Sequence, residues 1–218
     1  MTYEQVRSDS AVRTYIARAD MTLEALGFTE HSFVHVTHVA ERSAYILSTL
    51  GYDNRTVELA KIAGFLHDIG NVINRVDHSQ SGAVMAFRIL DRMDFPPEDI
   101  AIIISAIGNH DEGTGIPVNA VAAALIIADK SDVRRSRVRN PEDVKVDIHD
   151  RVNYSATQSD LNVNPEAKTL TLDIQVDTSI SSPMEYLEIF MKRMLLCRSA
   201  AEKLGFRFAL RINGQSLI

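Results

Sequence analysis

The stretch GFLHDIGN, from Gly64 to Asn71, places a histidine directly before an aspartate at the end of an apolar segment. An unpaired buried carboxylate is costly, and such a group is usually ion-paired or bound to a metal. The pair His67–Asp68 therefore needs partners from other parts of the chain, and the remaining sequence shows where they are.

Length and composition indicate one large domain, or a domain with a modest appendage. The chain has 218 residues, of which 45% are hydrophobic and 24% charged, as is ordinary for a globular protein. Its net charge of −6 argues against a nucleic-acid polymer as partner, because such binders are usually basic. The single cysteine, Cys197, allows no intrachain disulfide and is compatible with a reducing compartment.

The sequence also bears on the location of the protein. The N-terminal segment is polar and lacks the apolar run of a signal peptide. The longest apolar runs, Ile100–Ile107 and Ala120–Ala128, are too short to cross a bilayer. We therefore expect a cytoplasmic protein with no membrane partner.

Helical periodicity dominates residues 1–138. Apolar residues recur at helical spacing, and glycine, proline or capping residues separate the segments. The predicted helices are Ser10–Leu26, Glu30–Leu50, Asn54–His67, Ser79–Met93, Glu98–Gly108 and Val118–Arg137.

The pattern changes after Pro141. The segments VKVDIHDRVNYSA (144–156) and TLTLDIQVD (169–177) alternate with a period of two, and the turn formers NVNPEAK separate them. This pattern predicts a hairpin. A helix over Pro183–Leu204 and a closing strand, FRFALRI, should follow. The predicted fold is mainly α, with a helical bundle over 1–138 and a small α/β extension over 139–218 packed on it.

The seven histidines suggest how His67 and Asp68 acquire partners. Several lie near the ends of predicted helices, and histidine with carboxylate suits first-row transition metals. Helical bundles build metal sites from side chains that project into a shared core. Taken singly, each residue stays ambiguous: His110 could simply favour a helix C-terminus, and Asp129 could be an ordinary exposed acid.

The pattern resembles the HD superfamily of metal-dependent phosphohydrolases, whose skeleton is a histidine, a His-Asp pair and a later aspartate on a helical bundle. The resemblance covers residues 28–132. In HVTHVAERSA the first histidine is His35, because Val-Ala follows it by four and five residues as in the family. LHDIG matches the His-Asp pair, and ALIIADKSD supplies Asp129.

Two further matches resemble the branch of the superfamily that binds two metals. His78 precedes Gly-Ala by four and five residues in HSQSGA, and His110 follows an apolar helix in AIGNHDEGTG. The resemblance implies two divalent transition-metal ions (Fe, Mn, Co, Ni or Zn, with Mg open at one position). The implied ligands are His35, His67, Asp68 and Asp129 for one ion, and Asp68, His78 and His110 for the other.

The sequence departs from the branch that hydrolyses cyclic dinucleotides. NHDEGTGIP resembles its His-His-Glu and Gly-Tyr-Pro run, but Asn109 and Ile116 replace the histidine and tyrosine, and Asn71 replaces a lysine common after HDIG. These differences argue against a three-metal site and against that substrate.

The resemblance implies a phosphohydrolase in which a metal-activated hydroxide cleaves a phosphomonoester or phosphoanhydride of a small, nucleotide-like substrate. Asp68 would be the catalytic residue that bridges both ions. Nucleotidase activity is the first expectation, and dinucleoside polyphosphate hydrolysis the next. His31 and His38, each one turn from His35, would support the ligands without binding metal. The candidate phosphate-binding residues are Lys130, Arg134, Arg135, Arg75 and Asn71.

Alternatives stay open at this stage. The basic run RRSRVR is also typical of a solvated helix end. The same six ligands could serve a di-iron oxygenase, and a non-catalytic signalling module is a third reading. A homodimer through the strands of the extension is also open.

Overall fold

The computed structural model describes residues 1–139 and 148–217. The protein is mainly helical and carries a four-stranded sheet in its C-terminal part, which confirms the predicted fold class. Buried apolar side chains of both parts form one continuous core. The division of the chain into 1–138 and 139–218 stays a prediction.

Seven helices form the N-terminal body, and most begin at the predicted positions or within three residues of them. Ser32, for example, caps the helix that starts at Phe33, and its hydroxyl accepts a hydrogen bond from the Val34 amide at 3.1 Å. The helices are α1 (Tyr3–Ser8), α2 (Ser10–Ala25), α3 (Phe33–Thr49), α4 (Asn54–Leu66), α5 (His78–Arg92), α6 (Pro97–Gly108) and α7 (Ala120–Lys130).

The first helix, α1, was not predicted from the sequence. Thr2 and Gln5 form a reciprocal capping box at its start, and such a box satisfies two backbone amides that the helix leaves without partners. Tyr3 and Val6 are buried, so that even this polar segment anchors two apolar side chains in the core.

Helix α7 lies at the centre of the body. Its residues 121–128 are all buried, and it packs against α3, α4, α6 and α9 (Pro183–Lys203). An apolar helix surrounded on all sides is typical of a bundle core. Its C-terminal end therefore lies deep in the molecule.

The prediction that this helix continues to Arg137 is wrong, because α7 ends at Lys130. The Ser131 hydroxyl donates to the Ala128 carbonyl at 2.9 Å, and the buried Asp132 carboxylate is held by side chains outside the helix. A short 3-10 turn, Arg135–Arg137, follows. Tertiary contacts of Asp132 thus outweigh the local helical preference.

The first described element of the extension is a helix where the sequence predicted a strand. Residues 144–147 of that predicted strand lie outside the described residues, and α8 (Ile148–Ser155) occupies the next eight positions. Val152 and Ser155 are buried at helical spacing. A helix therefore buries one face of this segment, although its sequence alternates.

The sheet has the order β1 (Ala156–Asn164), β2 (Thr169–Val176), β3 (Arg207–Ile212) and β4 (Gln215–Ser216). Strands β1 and β2 form a hairpin with the turn confined to 165–168. Its second strand is the predicted one, but its first strand begins at Ala156, where the predicted strand 144–156 ends. Strand β3 pairs with β2 in parallel, so α9 is the crossover between them. Within the described residues, no helix is long and apolar enough to cross a membrane.

Candidate metal centre

Six side chains that could bind a metal converge where helix ends of the body meet. Each comes from an element terminus, which makes its position rigid. His35 lies in the first turn of α3, His67 and Asp68 follow α4, His78 begins α5, His110 follows α6, and Asp129 lies in the last turn of α7. All are buried except Asp129, whose side chain is 13% exposed.

Close backbone contact brings the HDIG segment against the start of α5. A Cβ added at Gly70 would lie 2.0 Å from the His78 carbonyl oxygen and 2.5 Å from the Gly82 amide nitrogen. These are contacts that no side chain at residue 70 can make without moving backbone. Gly70 therefore permits the approach that places His78 beside Asp68.

The histidine rings are oriented by their Nδ1 atoms. Nδ1 of His67, His78 and His110 lies 2.8, 3.1 and 2.6 Å from the carbonyl oxygens of Gly64, Arg75 and Ile107, respectively. A carbonyl oxygen can only accept, so each Nδ1 carries the proton and donates it. The Nε2 lone pairs are then available for a metal, as is typical of histidine ligands.

Asp132 orients the fourth ring. Its Oδ2 lies 2.7 Å from Nδ1 of His35, and its Oδ1 lies 3.2 Å from Nδ1 of His38. A carboxylate that holds the far nitrogen of a histidine ligand is a common support of metal sites. Asp132 was not among the candidate residues identified from the sequence, although it follows Asp129 by only three residues.

The Nε2 atoms converge on the Asp68 carboxylate, which separates them into two groups. Oδ2 of Asp68 lies 3.5 Å from Nε2 of His35 and 3.2 Å from Nε2 of His67. Oδ1 lies 3.4 Å from Nε2 of His78 and 4.0 Å from Nε2 of His110. The two oxygens of one side chain therefore face two different pairs of histidines.

Asp129 completes the first group. Its Oδ1 lies 3.4 Å from Nε2 of His35 and 3.6 Å from Nε2 of His67. The ligand atoms of His35, His67 and Asp129 lie within 4.8 Å of one another, and the same holds for His67, Asp68 and His110. In the second group, Nε2 of His78 lies 3.2 Å from Nε2 of His110.

The donor atoms fit a divalent metal. Within residues 1–139 and 148–217, Nε2 of His35 and Nε2 of His67 are buried and have no hydrogen-bond partner. Buried polar atoms are almost always hydrogen-bonded, so two exceptions aimed at the same carboxylates call for a cation. Imidazole and carboxylate together are ligands of first-row transition metals.

The electrostatics agree with this reading. Burial lowers the pKa of His67, but the Asp68 and Asp129 carboxylates outweigh it and raise the pKa to about 10. The carboxylates therefore favour a positive charge at this ring. Burial, together with the charges of His67 and Lys130, holds the pKa of His110 well below its usual value, which leaves that ring neutral and able to bind a metal.

Asn71 holds the central carboxylate in place. Its Nδ2 donates to both the Oδ1 and the backbone oxygen of Asp68, each at 2.9 Å. Asn71 is fully buried, and it contacts Asp68 where the sequence suggested a contact to phosphate.

A cavity of about 480 Å³ opens over the centre. Asp68, His78, His110 and Asp129 line its floor. The loop between α2 and α3 forms one wall, with Leu26 and Phe28 at its surface, and residues of α8 and α9 form another. The cavity volume lies in the range of small-molecule sites, about 300–1,000 Å³.

Two of the predicted phosphate-binding residues line this cavity, Arg75 and Lys130. Nη1 of Arg75 lies 3.4 Å from Nε2 of His78, and its guanidinium lies over the Phe28 ring at 5.7 Å. Nζ of Lys130 is paired with the carboxylates of Asp129 and Glu112 at 2.5 and 2.8 Å.

The structure does not bring Arg134 or Arg135 to the cavity. Arg134 donates two hydrogen bonds to the Asp132 carboxylate, at 2.5 and 3.0 Å. Arg135 donates to the Tyr154 carbonyl at 2.6 Å, and its guanidinium lies over the Tyr154 ring. Both arginines are committed to structural contacts, so neither belongs to the site as the structure places it.

The two flanking histidines occupy different surroundings. His31 lines the cavity, and its Nε2 lies 4.0 Å from Oδ2 of Asp68. His38 lies outside the cavity lining, with its ring 34% exposed. His31 is thus adjacent to the centre, whereas His38 reaches it only through Asp132.

The cavity wall also contains residues that were not predicted from the sequence. Arg193 and Phe190 on α9 line the cavity, and Glu112 joins Arg193 to Lys130. Arg137, from the 3-10 turn, lines it as well. No motif marks Phe190 or Arg193, because they reach the cavity only through the packing of α9 on α7.

The chain belongs to the HD domain family, since the family model matches residues 32–154. This range includes every candidate ligand and excludes α9. The match confirms the superfamily expected from the HDIG segment.

Two individual proteins are similar to this chain. An uncharacterized protein of Methanocaldococcus jannaschii, MJ1020, is 25% identical over 173 residues, which are 68% of this chain and 66% of that protein. The chain thus spans just under two thirds of that relative. The crystal structure of a predicted HD superfamily hydrolase from an uncultured Thermotogales bacterium is 26% identical, with a TM-score of 0.46 over 57% of this chain and 67% of the other.

Proposed function

We propose that this protein is a metal-dependent phosphohydrolase that cleaves a phosphomonoester or phosphoanhydride of a small, nucleotide-like substrate. The observation that carries the proposal is the Asp68 carboxylate, whose two oxygens face separate pairs of histidine Nε2 atoms. One carboxylate between two ligand groups is an arrangement that suits a dinuclear site.

The two ligand groups define the proposed sites. His35, His67 and Asp129 would hold one ion together with Oδ2 of Asp68. His78 and His110 would hold the second together with Oδ1. When bound, divalent ions at such a pair of sites supply Lewis-acid stabilisation of the phosphoryl group and acidify water.

The chain supplies orientation and charge around these sites. Asn71 and Asp132 hold Asp68 and His35 in position through the contacts described above. Arg75 presents a guanidinium beside His78, on the cavity side of the centre. Guanidinium groups match the geometry of phosphate oxygens, so Arg75 is the residue of the body that we propose binds the phosphoryl group.

Elemental analysis of protein purified without chelator tests the proposal together with a phosphate-release assay. We expect about two first-row ions per chain, as in two-metal phosphohydrolases, and release of phosphate from nucleotides or aryl phosphates. His78→Ala should lower the content to about one ion and abolish turnover. His38→Ala, which removes a histidine outside the cavity, should retain both ions and most of the activity.

Several outcomes would contradict the proposal. Protein that binds no metal after reconstitution, or that releases no phosphate with Mn, Co, Ni, Fe or Mg, is not this enzyme. Iron-specific loading with oxygen consumption would instead support the di-iron oxygenase alternative. Unchanged partner binding by an inactive His78→Ala variant would support the signalling module.

A further inference from the structure

The wall formed by α9 carries an arginine that the metal centre does not use. Arg193 lies on the cavity surface, and its side chain is 29% exposed. It belongs to the segment beyond the family match, which ends at residue 154. The shared features of the family therefore do not account for it.

Two contacts fix the guanidinium of Arg193 in one orientation. Its Nε donates to Oε1 of Glu112 at 2.9 Å, and its Cζ lies 4.6 Å from the centre of the buried Phe190 ring. One face of the guanidinium thus packs on Phe190, and one edge is hydrogen-bonded to Glu112. A guanidinium held in this way loses little further freedom when it binds a ligand.

The opposite edge of this guanidinium remains available. Among the residues that the structure describes, neither Nη1 nor Nη2 of Arg193 makes a hydrogen bond. Lys130, the neighbouring cation, is already paired with both Asp129 and Glu112. Arg193 is therefore the group on this wall that presents unused donors to the cavity.

The carboxylates of Glu112 and Asp129 both act on Arg193, but neither is paired with Arg193 alone. Glu112 is shared with Lys130, which also pairs with Asp129. Through these contacts Arg193 is linked to Asp129 on the floor of the cavity. An anion on Arg193 would thus share one cavity with a phosphoryl group at the proposed metal sites.

We propose that Arg193 binds a second anionic group of the substrate, so that the natural substrate is a diphosphate or a phosphate compound with a nearby carboxylate. This inference rests on the proposed function and narrows it. A paired fork of N–H donors suits a terminal phosphate or a carboxylate equally well. Simple phosphomonoesters would bind without using Arg193.

The test compares two probes on the metal-loaded protein by isothermal titration calorimetry. Inorganic phosphate occupies only the floor, whereas imidodiphosphate carries two phosphoryl groups on a bridge that resists hydrolysis. Magnesium in excess over the probe prevents removal of the protein's metal. We expect Arg193→Gln to weaken imidodiphosphate binding about tenfold or more, while the affinity for phosphate stays within about twofold.

A matched variant on the same helix controls for a change in charge. Arg198 is exposed on α9, and Arg198→Gln should leave both affinities unchanged. Glu112→Gln distinguishes loss of ligand binding from loss of stability, because it removes the ion pair with Arg193 but keeps the Arg193 guanidinium. This variant should melt at a lower temperature and still prefer imidodiphosphate over phosphate.

The outcomes distinguish this inference from the proposed function. If Arg193→Gln loses affinity for both probes equally, or for neither, Arg193 does not bind a second anionic group. The phosphohydrolase proposal would be unaffected by that result. If the metal-loaded wild type binds neither probe, the phosphohydrolase proposal itself fails and this inference fails with it. If the second anionic group is a carboxylate, Arg193→Gln should weaken the binding of phosphonoacetate as strongly as it weakens the binding of imidodiphosphate.

Discussion

The floor of the cavity and its α9 wall are built in different ways. The floor takes its side chains from the ends of several helices, and each ring is held by a backbone carbonyl or by Asp132. The wall takes Phe190 and Arg193 from the middle of one helix, and an ion pair with Glu112 joins it to the body. The floor is therefore suited to a fixed task, and the wall can change without disturbing it.

The largest effect on the floor is expected from a substitution that forces the HDIG segment away from the start of α5. In Gly70→Ala, the added methyl would meet the His78 carbonyl and the Gly82 amide, so the backbone must move. We expect the free energy of unfolding to fall by about 3 kcal/mol or more, as for severe overpacking. Metal content should fall with it, because His78 moves away from Asp68. Urea denaturation and elemental analysis measure the two effects.

Gly108→Ala provides the control for this prediction. A Cβ at Gly108 would meet nothing closer than 3.7 Å, although the residue directly precedes the segment that carries His110. This variant should fold and bind metal as the wild type does. If Gly70→Ala did the same, the close approach would not be needed to assemble the floor.

A smaller change weakens the floor without moving its backbone. Asp132→Asn keeps the size of the side chain but removes the charge that holds Nδ1 of His35. We expect metal affinity to fall by about 10–100-fold, as is usual when a carboxylate behind a histidine ligand is lost. Competition with a chromogenic chelator measures the affinity.

The exposed carboxylate of Asp91 on α5 gives a control of the same chemistry. Asp91→Asn should change the affinity by less than about twofold, since surface substitutions away from a site have small effects. An equal effect of both substitutions would mean that overall charge, and not the contact with His35, governs metal binding.

The smallest expected effect concerns the link between floor and wall. Burial would raise the pKa of Glu112, but Lys130 and Arg193 outweigh it and hold the pKa well below the usual 4.5. A lowered pKa stabilises the folded protein above pH 4.5, and this contribution is lost as the pH falls further. Glu112→Gln should therefore lower the free energy of unfolding at pH 7 by about 1–3 kcal/mol.

The same variant predicts a change in the pH profile. Below pH 4.5, the free energy of unfolding should fall more steeply with pH for the wild type than for Glu112→Gln, which lacks the titrating group. Glu202→Gln, at an exposed position on α9, should follow the wild-type profile. Parallel profiles for all three proteins would show that the ion pairs of Glu112 do not stabilise the junction.

The floor and the helical body could be predicted from the sequence because their signals are local. His67 and Asp68 interrupt an apolar run, and the helices of the body show clear periodicity between glycines and capping residues. The grouping of the six candidate ligands needed the family pattern, since spacing alone cannot bring distant residues together. Their roles as ligands stay predictions.

The remaining features depend on tertiary contacts that leave no local pattern. Helix α7 ends early because Asp132 bonds to His35 and His38. Residues 148–155 alternate like a strand, yet they pack as a helix. Arg193 resembles any exposed basic residue of an amphipathic helix, and its place in the cavity follows only from the packing of α9 on α7.

The burial of α7 on every side has a consequence for synthesis on the ribosome. Domains are made from the N-terminus, so α7 leaves the ribosome well before α9. Until then, the face that α9 covers in the finished protein remains exposed to water on the nascent chain. The ligands of the floor can already gather during this interval, but the body keeps an uncovered apolar stripe that a chaperone could bind, and only the arrival of α9 removes it.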